Sequence, residues 1–96
     1  MTDLDKLLEN VKDRESFLVF VKALAADREE AIKLEAENPS SPYGPDAKGW
    51  ENTSIEHYLE SAAAWTEDWI GREEELPEKP SWSDFARFLY AGKYYE

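Results

Sequence analysis

Thr53-Ser54-Ile55-Glu56-His57-Tyr58-Leu59-Glu60-Ser61-Ala62-Ala63-Ala64-Trp65-Thr66-Glu67-Asp68-Trp69-Ile70 is the stretch whose reading decides the fold. Its first four residues have the form of a capping box, a hydroxyl followed three positions later by a carboxylate, which satisfies backbone donors left open where a helix starts. After it, Ile55, Tyr58, Leu59, Ala62, Thr66 and Trp69 share one helical face, with Trp65 and Ile70 at its flanks. The pattern predicts a helix over 54–70, stopped by Gly71. Ala62-Ala63-Ala64 carries no bulk there, so another helix can approach closely or a neighbouring indole can fill the space.

Downstream, Glu73-Glu74-Glu75 followed by Pro77 and Pro80 reads as a solvated acidic connector over 71–81. Ser81-Trp82-Ser83-Asp84 repeats the capping grammar and opens a helix over 82–92, with Trp82, Phe85, Ala86 and Leu89 as its core stripe. Upstream, Asn38-Pro39-Ser40-Ser41-Pro42-Tyr43-Gly44-Pro45 sets three prolines and a glycine within eight residues, which denies a helix its donors and dihedrals. It begins a long loop over 38–53, in which Tyr43 and Trp50 are the side chains able to pin the chain down.

Before the loop, Thr2 or Asp3 caps a short helix over 3–11 bearing Leu4, Leu7, Leu8 and Val11. Asp13 caps a longer one over 14–37, with Phe17, Phe20, Val21 and Leu24 as its core stripe. Arg28 and Glu35 fall in line with that stripe, so the segment from Asp27 to Glu37 is expected to stand clear of the core, or to break and restart with Asp27 and Glu30 as a new cap. No stretch alternates with period two. The chain therefore reads as all-α, one helical domain over 1–96 built as a bundle of three to four helices.

Ninety-six residues make one core, and 14% aromatic content supplies the bulk to fill it despite a mean hydropathy of -0.73. The absence of cysteine excludes disulfides, thiolate metal sites and a cysteine nucleophile. Met1-Thr2-Asp3-Leu4-Asp5 lacks the apolar run of a signal peptide, and nowhere do about 18 apolar residues follow one another, so a cytoplasmic location is expected. The charges, 11 basic against 22 acidic residues, argue against direct binding of nucleic acid or of a membrane surface. Between Gly49 and Glu78 nine acids face one base, Arg72, a net of -8 that attracts cationic proteins in a salt-dependent way.

Read together, Asn38 to Gly44, Gly49-Trp50-Glu51-Asn52, Ala64-Trp65 with Glu67-Asp68, and Trp82 with Phe85-Ala86, Gly92-Lys93 and Tyr95-Glu96 resemble an uncharacterised family of small acidic bacterial all-helical proteins. The resemblance spans nearly the whole chain. It implies a bacterial single-domain helical protein and carries no established activity; Tyr94 departs from the family's usual aliphatic residue at that position.

Two constellations bear on chemistry. His57 and Glu60, at helical i and i+3 with Glu56 adjacent, set an imidazole and a carboxylate on one face, but helical metal sites use several such units and this chain has a single histidine. Glu67 and Asp68 lie beside Trp65 and Trp69, but neighbours on a helix diverge by about 100°, which keeps the two carboxylates from facing each other. No phosphate loop or serine elbow is present, and no cofactor or metal site is expected. The chain is read as a non-enzymatic protein-interaction domain whose acidic face binds a basic partner, an immunity-type inhibitor of a basic toxin being one form. A small metal-binding or hydrolytic protein centred on His57 and nearby carboxylates is the alternative, and an acidic nucleic-acid mimic a third. Trp65 and Trp82 are assigned to the core, and the partner-binding candidates are Tyr43, Trp50, Glu51, Asn52, Glu67, Asp68 and Trp69, with Trp50 the indole expected to be presented. The sequence sets no oligomeric state.

Overall fold

Four helices account for the regular structure among the described residues. The computed structural model describes residues 3–38, 48–69 and 77–95, and the side chain of Trp69 lies outside that description, as do Tyr43 and Glu73-Glu74-Glu75. The helices are α1 (Leu4–Glu9), α2 (Arg14–Glu37), α3 (Ile55–Trp69) and α4 (Trp82–Tyr94), with no strand among the described residues.

Local caps set the starts. The Asp3 carboxylate accepts from the backbone of Asp5 and Lys6. Asp13 and Ser16 form a reciprocal box at the head of α2, and the backbone N–H of Ser16 is the main reason the Asp13 carboxyl is held below its ordinary range. Ser81 and Asp84 do the same for α4, where the backbone N–H of Ser81 lowers Asp84 and Arg87 adds a salt bridge to it. On α3 the cap falls one residue later than the Thr53-to-Glu56 pattern predicts. Ser54 Oγ accepts from the His57 N–H at 3.2 Å and the Ser54 carbonyl takes the first helical bond from Tyr58.

α4 is the hub: it alone touches each of the other three helices. Leu4, Val11, Phe17, Phe20, Leu24, Ala31, Trp50 and Ala86 form one buried cluster. Phe20 sits at its centre, fully buried, with the Tyr90 ring edge-on at 6.0 Å. The Tyr90 hydroxyl reaches on to the Asp5 carboxylate and so ties α4 to α1. On the other side, among the described residues, Ala62 and Trp65 are the buried side chains of α3, and α4 is the one helix it meets. Their approach depends on Gly92, where a Cβ would lie 2.8 Å from the Tyr58 ring. The Tyr95 hydroxyl bonds Asp68 and fastens the end of the chain to α3.

Four expectations are corrected. Trp82 is 42% exposed rather than core, its ring resting on Phe17 at 5.0 Å. Ile55 is 79% exposed, and Phe85 is also exposed. Trp82 and Ile55 are the first residues of their helices, and helical side chains lean toward the N-terminus, so both project past the end of the surface that covers their neighbours. The segment from Asp27 onward does not stand clear of the core either: α2 runs unbroken to Glu37, Asp27 and Arg28 are half-buried, and Ala31 is fully buried.

Candidate functional site

The Gly49-Trp50-Glu51-Asn52 segment is where the chain brings distant elements together. Gly49 has φ of 81°, in the left-handed region that a side chain rarely adopts, and it turns Trp50 inward. Trp50 is 5% exposed, which overturns its expected role as a presented indole. Its Nε1 donates to Asp27 Oδ2 at 2.9 Å, and Lys93 Nζ donates to the same oxygen at 2.9 Å. Arg28 lies 5.5 Å and Lys93 5.4 Å from the indole centroid, so two cations flank one ring. Lys48 approaches the other Asp27 oxygen at 3.9 Å and Glu30 at 3.5 Å.

The neighbours of Trp50 hold α4. Both the Glu51 and Asn52 N–H groups donate to the Lys93 carbonyl, and the Asn52 side-chain amide donates to the carbonyls of Gly92 and Tyr95. Carbonyls at a helix C-terminus have no partner within the helix, and here the loop supplies the donors. Asn52 is therefore occupied with the protein's own backbone. Asp27 and Lys93 were not legible as site residues from the sequence. The one signal was Lys93 itself, which continues the Ala86–Leu89 side of α4 one turn further and so sets a cation where an apolar residue is expected.

Beside this junction lies an apolar groove of about 310 Å³ between α2 and α3. It is lined by Val21, Leu24, Ala25 and Arg28 of α2, by Trp50, Asn52, Thr53 and Ser54 of the preceding loop, by Ile55 and Tyr58 of α3 and by Leu89 of α4. No Cα of α2 comes within 8 Å of one of α3, so the groove separates the two helices. Stepping about 100° per residue from Ile55 and away from α4, α3 presents the half-buried Thr66 and then Leu59, Ala63, Glu56, Glu67 and Glu60, which form an exposed outer strip facing away from the groove, its three charged members all acids. The outer side of α2 is mixed, with Lys22 and Lys33 among Glu15 and Glu29.

The candidates thus divide. Glu67 is exposed on the outer side of α3, whereas Asp68, about 100° further round the helix, accepts from Tyr95. Glu51 is exposed, with its backbone committed to α4. Trp69 ends α3. His57 and Glu60 are exposed on α3, and no group of three His, Asp or Glu residues among the described residues converges as a metal site. No described helix is long and apolar enough to cross a membrane.

Tyr58 is the titratable group of the groove. Its hydroxyl donates to the Leu89 carbonyl at 2.5 Å, and burial pushes it up to about 12. Because the folded protein holds the proton more tightly, Tyr58 contributes stability that is complete below the unfolded value near 10 and is lost as pH rises toward 12. Tyr90 is raised as well, by burial first and then by its bond to Asp5, and acts in the same direction. Denaturant titrations at neutral pH and at about pH 11 are expected to show a smaller alkaline loss of stability in Tyr58→Phe than in the parent, with the share of Tyr90 left in place. An unchanged loss would mean that Tyr58 ionises freely in the folded state.

The chain belongs to a family of unknown function (DUF7660), whose model matches residues 13–96. The match takes in the junction, the groove and α2 to α4, and leaves out α1. No curated protein and no solved structure matches the chain.

Proposed function

We propose that this member of the family is a non-enzymatic protein-interaction domain of a bacterial cytoplasm, and that its acidic face binds a basic partner. The observation that supports the reading is the exposed outer strip of α3, where Leu59 and Ala63 lie beside Glu56, Glu60 and Glu67 on one helical face. Apolar anchors bounded by charge of one sign are the composition of an interface centre and its rim, and the rim charges set encounter rate and partner choice. A net charge of -11 adds long-range attraction for a cationic protein. In its most specific form the domain is a stoichiometric inhibitor of the immunity type, held on a basic toxin; size and charge support that form.

Of the residues singled out by sequence, the reading uses Glu67, which belongs to this exposed strip. The test is the variant Glu56→Gln/Glu60→Gln/Glu67→Gln, whose exposed positions leave the core untouched. Proteins retained by the immobilised parent at low salt and released at high salt are expected to be basic, and the triple variant is expected to lose them. If the variant retains the same proteins, or if the proteins retained are neutral or acidic, the reading is wrong.

A further inference from the structure

The groove beside Trp50 has the size and the chemistry of a small-ligand site. Its volume of about 310 Å³ stands at the lower end of the roughly 300–1,000 Å³ that hold small molecules, which suits a compact one. Burial grades along the lining: Leu24 and Trp50 are buried, Tyr58 and Leu89 half-buried, and Ala25 and Ile55 exposed, so the groove runs from the core out to solvent. Two of these side chains are aromatic, with the Trp50 and Tyr58 ring centroids 6.2 Å apart. Rings in the lining favour a ligand that carries a ring of its own.

The polar groups decide the class of ligand. The Tyr58 hydroxyl is committed to the Leu89 carbonyl, the Asn52 amide to the carbonyls of Gly92 and Tyr95, and Trp50 Nε1 to Asp27. Those donors serve the fold. Arg28 is the one charged residue among the described residues that line the groove. It is half-buried, its guanidinium carbon lies 5.5 Å from the Trp50 ring centroid, and a guanidinium has five N–H donors to distribute. A planar cation stacked on an aromatic ring is a good partner for a carboxylate, which it can grip through two parallel hydrogen bonds. The acid next to it in the chain, Asp27, is offset, because Trp50 and Lys93 both donate to it and Lys48 lies at 3.9 Å.

We propose that this groove binds a small aromatic carboxylic acid, its ring among Leu24, Tyr58 and Leu89 and its carboxylate on Arg28. The site lies apart from the acidic outer strip of α3 and is independent of the basic-partner reading. A net charge of -11 repels any anion at long range, but at about 0.15 M salt that field is screened beyond roughly 8 Å, and the contact with a half-buried guanidinium is screened much less. An amine is the wrong ligand because it meets Arg28, and a neutral apolar molecule forgoes the strongest hydrogen bonds on offer. A second copy of the chain brings another -11 against the first.

Three probes of similar shape separate these terms: phenylbutyrate, phenylbutyramide and phenylbutylamine, each titrated into the full chain at about 0.15 M salt and followed by NMR. Phenylbutyrate is expected to bind one to one, to shift the Trp50 indole N–H and the Ile55 amide, and to bind about tenfold tighter than the amide, the gain when the acceptor on an arginine is ionised. The amine is expected to be weakest. Arg28→Gln is expected to erase the advantage of the acid over the amide while both still bind. Ala25→Phe, at an exposed position of the lining, is expected to fill the groove and weaken every probe by at least about tenfold. Circular dichroism and urea midpoints check that both variants stay folded, and the probe series with Ala25→Phe decides the matter even if Arg28→Gln does not.

An acid that binds no tighter than its amide, or that keeps its advantage in folded Arg28→Gln, overturns the assignment to Arg28 and with it the proposal. Undiminished binding to Ala25→Phe puts the ligand outside the groove and overturns the site. Failure of phenylbutyrate to bind overturns it too, as does self-association of the parent that Ala25→Phe abolishes, which makes a second copy the occupant. None of these outcomes bears on the basic-partner reading, which is tested by the Glu56, Glu60 and Glu67 variant.

Discussion

Trp50→Ala is expected to lower the unfolding free energy by about 3–5 kcal/mol, the usual cost of deleting a large buried aromatic. Several supports go at once. The indole is 5% exposed within the main cluster, its Nε1 satisfies Asp27, and its ring faces Lys93 and Arg28. Ordinary stability for a chain of this length is roughly 5–14 kcal/mol, so the variant is expected to unfold at a much lower urea concentration, or to be unfolded at growth temperature. Trp50→Phe separates the parts: it keeps apolar bulk and loses the charge-assisted hydrogen bond, for about 1.5–3 kcal/mol. Urea midpoints at constant slope measure both. A loss below about 1 kcal/mol in Trp50→Ala would mean that the loop detaches without disturbing α2 and α4.

Helix starts were open to reading from the sequence because a cap is a local event. Asp13 with Ser16 and Ser81 with Asp84 need only residues three apart, and the same spacing recurs at each helix head. Facing was less open. Trp82 and Phe85 lie on the stripe that a wheel assigns to the core, but α4 is touched from three sides, and its fully or nearly fully buried positions are Ala86, Ala91, Gly92 and Lys93. Small residues mark where other helices come closest, and a hydrophobicity pattern gives them little weight. Gly92 against the Tyr58 ring is the clearest case, since the information lies in an atom that is missing.

The site was legible by halves for a related reason. The Gly-Trp-Glu-Asn segment announced itself by composition, but its partners are Asp27, 23 positions earlier, and Gly92 and Tyr95, 40 and 43 positions later. Nothing in a single sequence links Asp27 to Lys93 across 66 positions. An acidic chain makes the matter harder, because one carboxylate among 22 acids carries no mark of being buried. By contrast Glu56, Glu60 and Glu67 are exposed, and the outer acidic strip they share on α3 followed from helical spacing once α3 was placed.

Asp27→Leu is expected to match Trp50→Ala in size, at about 3–5 kcal/mol, because it strands the Lys93 ammonium in the interior. The Lys93 side chain is 10% exposed, and its other neighbours are the faces of Trp50 and Tyr90, which stabilise a cation far less than a carboxylate does. Lys93→Met is expected to cost less, about 1.5–3 kcal/mol, since Asp27 keeps the Trp50 donor and has Lys48 at 3.9 Å. The double variant Asp27→Leu/Lys93→Met removes both charges and leaves Trp50 Nε1 as the group that loses its bond. Its loss is expected to fall short of the sum of the single losses by about 2 kcal/mol, within the usual range for residues in direct contact. Urea unfolding of the four proteins gives that coupling. Additivity within about 0.5 kcal/mol would show that Lys93 escapes to water when Asp27 is gone, and that the loop is held to α4 by its backbone bonds and the indole alone.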